Sequence, residues 1–339
     1  MEMKDMIRQA VEGRDLNENE AAEAMRTIMS GAATDAQIAG FLIALRLKGE
    51  TVDEIAGLAS VMREMATRIP ADPDVIDTCG TGGDASCTFN ISTGSALVAA
   101  GIGLKVAKHG NRAISSSSGS ADVLKELGVN LDASVETVAR CIEEAGIGFL
   151  FAVRLHAAMK YVMGPRREMG VRTVFNVLGP LTNPAGARRQ VMGVFSRDLT
   201  ETLGHVLQQL GAVSALVVHG HDGLDEITIT DATTVTRVDE NSVETFEVTP
   251  EELGLSRCKP DDLTVASPEE AAAALREVLS GAAGARRDIV LANAAAAAVV
   301  GGKAVGLAEG VVVAAESIDS GRAAAALDKL VEITNAAGA

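Results

Sequence analysis

One stretch, Asp77 to Ser120, limits what this 339-residue chain can be. It reads DTCGTGGDASCTFNISTGSALVAAGIGLKVAKHGNRAISSSSGS. The apolar pair Val75-Ile76 leads into a glycine-rich loop, Gly80-Thr81-Gly82-Gly83-Asp84. A second polar turn, Asn90-Ile91-Ser92-Thr93, opens the apolar run Ala96 to Ala100, which reads as a helix. Leu104 to Ala107 reads as a buried strand ending in Lys108-His109-Gly110-Asn111-Arg112 and a serine-rich loop. Three polar loops therefore gather at the ends of adjacent elements, and in open α/β sheets the strand C-termini form the ligand crevice. Glycines let backbone N–H groups approach an anion with no Cβ in the way. Ser92 and Thr93 stand where a helix starts, at the positive end of its dipole. Lys108 and Arg112 add full charges. The combination suits a ligand with several phosphates. Neither the Gly-Lys-Ser/Thr ending of a Walker loop nor GxGxxG is present. GTGGD alone also fits a glycine-rich surface loop; the order of three segments is what points to a site.

Charge makes the phosphate reading a problem to be solved locally. The chain carries a net charge of −16, which argues against nucleic acid or an anionic membrane as partner and repels an anionic substrate. Nearby cations and bound metal must overcome that field. Apolar residues make up 47% of the chain and aromatics only 2%, so a folded core must be built from Ala, Val, Leu and Ile. The apolar run Asn293 to Gly302 is too short to span a membrane, and MEMKDMIRQA reads as a polar helix and not a signal peptide. Cys79, Cys87, Cys141 and Cys258 show no CxxC spacing, so zinc is not indicated, and they read as reduced thiols of a cytoplasmic protein.

Residues 1–69 carry helical signals only. Thr34 can cap the run Ile38 to Leu47, and Thr51 with Glu54 forms a capping-box pattern ahead of Ile55, Leu58 and Met62. These helices read either as a small separate bundle or as helices laid on the main sheet. Pro70 to Asp74 reads as a linker. Beyond it, helical runs (Ala121 to Leu127, Val135 to Ala145, Leu199 to Leu210) alternate with strand-like runs (Ile147 to Ala152, Gln190 to Phe195, Ala215 to His219), the pattern of a mainly parallel sheet. Thr228 to Val248 reads as short strands or hairpins, and the chain after Ser267 as alanine-rich helices without a motif. Arg166, Arg167 and Arg172 give the segment 156–186 a basic face, which for any one arginine also fits a solvated helix surface. His219-Gly220-His221-Asp222-Gly223-Leu224-Asp225-Glu226 is rich in metal-ligand types, but HxH with nearby acids is a weak signal.

GTGGD, NIST, KHGNR and SGSAD, in this order, resemble anthranilate phosphoribosyltransferase, and the resemblance covers essentially the whole chain. It implies a small helical domain at 1–70, with a helical return at 156–182, and a larger α/β domain at 71–339 like those of the nucleoside phosphorylase and phosphoribosyltransferase group. It implies transfer of the phosphoribosyl group from phosphoribosyl pyrophosphate (PRPP) to the amine of anthranilate, in tryptophan biosynthesis, by positioning and electrostatics without a covalent enzyme intermediate. Carried over by motif, Gly80, Gly83, Asp84, Thr88, Asn90, Ile91, Ser92 and Thr93 would hold PRPP. Lys108, His109, Gly110, Asn111, Arg112, Ala113, Ile114, Ser115, Ser116 and Ser120 would wrap its phosphates and ribose. Gly80, Asn111 and Arg166 would face anthranilate, with Arg166 toward its carboxylate. Ser92, Asp225 and Glu226 would bind Mg²⁺, two ions per subunit, leaving His219 and His221 structural. The resemblance also implies a homodimer formed through the helical domain. Gly94 departs from it, standing where many members have alanine. A pyrimidine nucleoside phosphorylase is the alternative enzyme, but it would not need Asp225 and Glu226. A non-catalytic or nucleic-acid-binding homologue should show a basic face and damaged motifs, which this chain does not.

Overall fold

The computed structural model describes residues 1–84, 86–112 and 118–336. Ala113, Ile114, Ser115 and Ser116, expected to wrap the ligand, lie outside the described residues.

Four helices open the chain: Met3–Val11, Glu18–Met29, Asp35–Lys48 and Val52–Met65. Three start at complete capping boxes, Asn17 with Glu20, Thr34 with Gln37, and Thr51 with Glu54, so orphan first-turn amides are satisfied locally. Glu54 does more than cap. Fully buried, it accepts the Leu16 N–H at 2.9 Å and the Lys48 ammonium at 3.0 Å, tying its own helix to the end of Asp35–Lys48 and to the connection between the first two helices through one carboxylate.

The larger domain holds a seven-stranded sheet ordered β3-β2-β1-β4-β5-β6-β7, with β1 at Ile76–Asp77, β2 at Val106–Gly110, β3 at Ile147–Phe151, β4 at Arg189–Gly193, β5 at Ser214–Gly220, β6 at Thr233–Asp239 and β7 at Val243–Val248. β1 to β5 pair in parallel; β6 and β7 add an antiparallel hairpin, with Val217 opposite Thr236 and Val235 opposite Phe246. β7 closes one end of the sheet and is exposed along most of its length. Two differences from the sequence reading matter. Lys108, His109 and Gly110 belong to β2 itself and do not begin a loop, and residues 228–232 form a turn ahead of the hairpin.

The four opening helices share one apolar core with one face of the sheet, through Met192, Val194 and Val217 and the helix Leu199–Gln209. The helix Lys160–Met169 packs on Glu18–Met29 and Asp35–Lys48, with Val162 in that core. The bundle and sheet-packed readings therefore describe two aspects of one continuous core.

The other face carries Ile91–Ile102, Ala285–Val300, Leu307–Asp319 and Arg322–Ala336. With few aromatics to bury, these helices stabilise the fold by coming close. Ala294 to Ala298 are fully buried, and a Cβ on Gly310 would stand 2.7 Å from the Ala295 carbonyl oxygen. Gly94 belongs to this scheme: a Cβ there would meet Leu275 at 2.8 Å and Val290 at 3.1 Å, so what it costs in helix propensity it returns in approach.

Gly101 and Gly40 provide a paired test. A Cβ on Gly101 would lie 2.6 Å from the backbone nitrogen of Ala323, while one on Gly40 meets nothing within 4 Å. Gly101→Ala should cost about 1–3 kcal/mol through overpacking. Gly40→Ala, in an open helix position, should gain up to about 1 kcal/mol from propensity. Urea unfolding of the two variants beside the parent reads both signs.

Candidate active site

The chain runs from β1 outward to β2 and β3, then returns at β4 on the other side of β1. Such a reversal opens a crevice at the strand C-termini. There the glycine-rich loop is pinned from three directions. Thr81 donates its N–H to the Gly193 carbonyl at 2.8 Å, Phe195 donates its N–H to Thr81 Oγ1 at 3.2 Å, and Gly82 donates its N–H to Asp225 Oδ2 at 2.7 Å. Glycine is demanded where these backbones touch: a Cβ on Gly80 would sit 2.5 Å from Asp225 Oδ2, and one on Gly193 would overlap the Asp225 carbonyl. At the tip, the N–H groups of Gly83 and Asp84 have no acceptor among the described residues, and two consecutive free amides make an anion-binding concavity.

Asp225 and Glu226 are partly buried in the wall of the crevice. Burial pushes both carboxyl groups well above the usual range, and charge repulsion adds to it, from Asp84 on Asp225 and from Asp225 on Glu226. The Gly82 amide opposes the shift at Asp225, as Lys108 and the Ser92 amide do at Glu226. Ser92 lies in the first turn of Ile91–Ile102. The Thr93 and Gly94 amides of that turn go to the Asn90 carbonyl, while the Ser92 amide acts on Glu226. Crowded hard oxygens that repel one another suit a small divalent cation such as Mg²⁺, which takes one or two carboxylates and keeps waters or phosphates. The residues present fit that ion.

The eight-residue acidic and histidine run resolves by geometry. His219 Nδ1 pairs with the Val194 carbonyl at 2.7 Å and His221 Nε2 with Thr234 Oγ1 at 2.9 Å. Asp222 is spent on its own turn, accepting from Thr228 at 2.5 Å, from Thr230, and from the Leu224 amide. Asp225 and Glu226 remain for the crevice.

Lys108 does not sit as the loop reading suggested. It is 1% exposed, and its ammonium donates to the Thr78 carbonyl, Thr78 Oγ1 and Ser92 Oγ at 3.2–3.3 Å. It lies beneath the crevice, as counter-charge to the acids above and beside it. Asp77, Cys79 and His109 bring metal-ligand atom types within 4.8 Å of one another; Asp77 is committed to donors within the protein, while His109 Nδ1 is buried without a hydrogen-bond partner among the described residues. Asp77 accepts the His109 N–H and the Asn183 amide, its carboxyl raised to about 6 by burial against the pull of these donors and Lys108. Burial and Asp77 hold the Cys79 thiol protonated. Burial, with His156 beside it at 3.2 Å, lowers His109 to about 3, so the ring stays neutral.

Other expected residues divide by placement. Ile91 packs in the core, and Thr93 is buried with its hydroxyl unpartnered among the described residues. Asn90 exchanges hydrogen bonds with Ser118, holding the near end of the serine-rich loop. Thr88 bridges to Thr264, and Ser120 starts the helix Ser120–Glu126. Gly110 admits the Phe149 ring, which a Cβ would meet at 2.8 Å. Asn111 and Arg112 stay exposed at the rim, Arg112 beside Asp122 at 3.7 Å. Arg166 is half-buried over the Phe175 ring at 5.4 Å, and no carboxylate among the described residues pairs with it.

Two residues at the site escaped the sequence reading. Arg172 stacks on Phe195 at 4.4 Å and donates to the Gly83 carbonyl. Asn293, buried in the alanine-rich helix Ala285–Val300, accepts the Ile227 N–H and donates to the Ile227 carbonyl, both at 2.8 Å, fixing the backbone just after Glu226. A lone amide in an alanine run is the signal that was available.

Residues 4–66 match the helical bundle domain model of the Glycosyl transferase family, and residues 72–324 its a/b domain model. The fold and crevice thus belong to a glycosyl transferase. The anthranilate phosphoribosyltransferase of Anaeromyxobacter sp. (strain K) is 58% identical, covering 97% of this chain and 99% of that protein, and that of Geotalea uraniireducens is 53% identical, covering 98% and 99%. The crystal structure of the Thermus thermophilus enzyme aligns with a TM-score of 0.93 at 45% identity, covering 98% of this chain and 99% of that one. The Saccharomyces cerevisiae enzyme in complex with PRPP and Mg aligns with a TM-score of 0.90 at 29% identity, covering 98% of each. The chain belongs to the anthranilate phosphoribosyltransferase family.

The raised carboxyl groups predict a linked titration. Their folded values exceed the unfolded ones, so the metal-free protein loses their contribution as pH rises through the raised values, and a cation should restore it. Stabilisation by Mg²⁺ should therefore grow as pH rises through about 7, the value to which Asp225 is raised, with proton release on binding. Thermal midpoints with and without Mg²⁺ and calorimetry in two buffers check this; Asp225→Asn with Glu226→Gln should abolish both effects.

Proposed function

We infer that the crevice between β1 and β4 holds PRPP and Mg²⁺ and that anthranilate enters beside Arg166. The chain transfers the phosphoribosyl group from PRPP to the anthranilate amine, releasing pyrophosphate, the step of its family in tryptophan biosynthesis. The observation that carries the site assignment is the meeting of free amides at Gly83 and Asp84 with the crowded carboxylates Asp225 and Glu226. One presents donors to phosphate oxygens, the other presents acceptors to the cation.

An arylamine is neutral at neutral pH, so its lone pair needs no general base before it attacks the anomeric carbon. The barrier lies in the leaving pyrophosphate and the positive charge growing on ribose. The metal, when bound, neutralises charge on the leaving group. The chain contributes fixed donors at the loop tip, which need no reorganisation as charge moves. Lys108 holds the acidic floor together without spending its charge on solvent. Arg166, half-buried and without a carboxylate partner among the described residues, orients the anthranilate carboxylate so that the amine faces ribose. We propose two Mg²⁺ per subunit, using Ser92, Asp225 and Glu226. We assign residues 1–70, with 156–182 returning to them, as the helical domain and 71–339 as the PRPP-binding domain. We also propose a homodimer through the helical domain, whose outer surface exposes Val11 and Leu47, and a cytoplasmic location, with which four free cysteines agree.

Anthranilate is fluorescent and the chain has no tryptophan, so the reaction can be followed directly. Anthranilate signal should fall when PRPP and Mg²⁺ are added, and should hold in excess chelator. Asp225→Ala with Glu226→Ala should remove most turnover while the metal-free thermal midpoint at alkaline pH holds or rises, since repulsion has been removed. Arg166→Ala should raise the anthranilate KM by about ten- to a hundredfold, the worth of a charged hydrogen-bond pair, with PRPP binding nearly intact. Lysine should rescue it only in part, lacking the planar fork. An unchanged anthranilate KM would place the acceptor site elsewhere.

A further inference from the structure

Arg172, like Arg167, reads from the sequence as solvated surface, yet it touches the loop directly. It follows the left-handed turn at Gly170 that ends the helix Lys160–Met169. Its guanidinium lies over the Phe195 ring at 4.4 Å, and one of its nitrogens donates to the Gly83 carbonyl. Phe195 in turn donates its N–H to Thr81 Oγ1. Three segments meet in this contact: the turn after Arg166, the end of β4, and the glycine-rich loop.

The need for such a contact follows from the loop. Gly82 and Gly83 are both left-handed, with φ of 64° and 80°. Consecutive glycines without side chains are costly to order. Thr81 and Gly82 are anchored by their own amides, to Gly193 and Asp225. At Gly83 the anchor comes from outside, on the carbonyl. A trans peptide is planar, so its C=O and the following N–H point in opposite directions. Fixing the Gly83 carbonyl on Arg172 therefore turns the Asp84 N–H away from the 170–173 segment, and that N–H has no acceptor among the described residues.

We propose that Arg172 is a positioning residue: seated on Phe195, it holds the Gly83 peptide so that the loop presents its free amides to PRPP, and it ties that loop to the segment bearing Arg166. This rests on reading Gly80 to Asp84 as the PRPP loop.

Calorimetric binding of PRPP with Mg²⁺, and steady-state kinetics varying each substrate, test it in Arg172→Ala, Arg172→Lys, Phe195→Leu and the Arg172→Ala/Phe195→Leu double variant. Arg172→Ala should weaken PRPP binding about tenfold, in line with one hydrogen bond to a charged group, while the anthranilate KM at saturating PRPP moves less than about twofold. Arg172→Lys keeps the charge but cannot lie flat on the ring, and should show most of the defect. Phe195→Leu removes the seat and keeps the charge. It should weaken binding in the same direction, and the double variant should be no worse than Arg172→Ala, as expected for one shared unit. Full rescue by lysine with no effect of Phe195→Leu would make Arg172 a simple charge contact and overturn the proposal, as would unchanged binding in Arg172→Ala. Failure of the parent protein to bind PRPP would instead overturn the reading of the loop.

Discussion

The crevice depends on a buried ammonium. Lys108 brings one positive charge to a place where Asp77, Asp225 and Glu226 each suffer from burial, and it opposes the raised proton affinity of Asp77 and Glu226. Its hydrogen bonds to Thr78 and Ser92 also join β2, the end of β1 and the first turn of a helix. A buried charge without partners is costly, and one partnered by several dipoles and nearby carboxylates is tolerable. Truncating Lys108 would thus remove the cation that, among the described residues, offsets the burial of Asp77 and Glu226, leaving them to hydrogen-bond donors.

Close approach is the second condition. A carboxylate can stand at the mouth of a glycine loop only if the backbone there lacks side chains, which is why Gly80 and Gly193 flank Asp225. The same economy runs through the far side of the sheet, where alanines and glycines bring helices nearly into backbone contact and place Asn293 against Ile227. The alanine-rich region without a motif is therefore the part that holds the turn bearing Asp225 and Glu226 at its height.

Much of this was legible because the sequence states local chemistry plainly. Thr34 and Thr51 announce helix starts through hydrogen bonds made within one turn, and alternating strand and helix runs imply a mainly parallel sheet. What was hidden depends on which way a side chain turns. Lys108 and His109 are polar and looked like the start of a loop, yet they continue β2, because the strand finds partners for them in Thr78, Ser92 and His156. Arg172 and Arg167 are equivalent on paper; only the turn at Gly170 directs Arg172 toward Gly83. His219, read as structural, is held by the Val194 carbonyl, and Asp222 is claimed by the hydroxyl groups of its own turn, which the sequence does not show.

The hairpin that ends the sheet has a bearing on how the protein lives among copies of itself. Among the described residues, β7 leaves one side of its backbone unpaired in an exposed edge strand, a template onto which another chain could add. Glu244 and Glu247 stand along it, Glu247 paired with Arg197 at 2.7 Å, and Thr236 meets Thr245 on the paired side through a hydroxyl contact of 2.8 Å. A second copy, itself carrying a charge of −16, would have to bring its own carboxylates against these. The acidity that makes a phosphorylated substrate harder to attract thus guards the open side of the sheet against stacking into fibres.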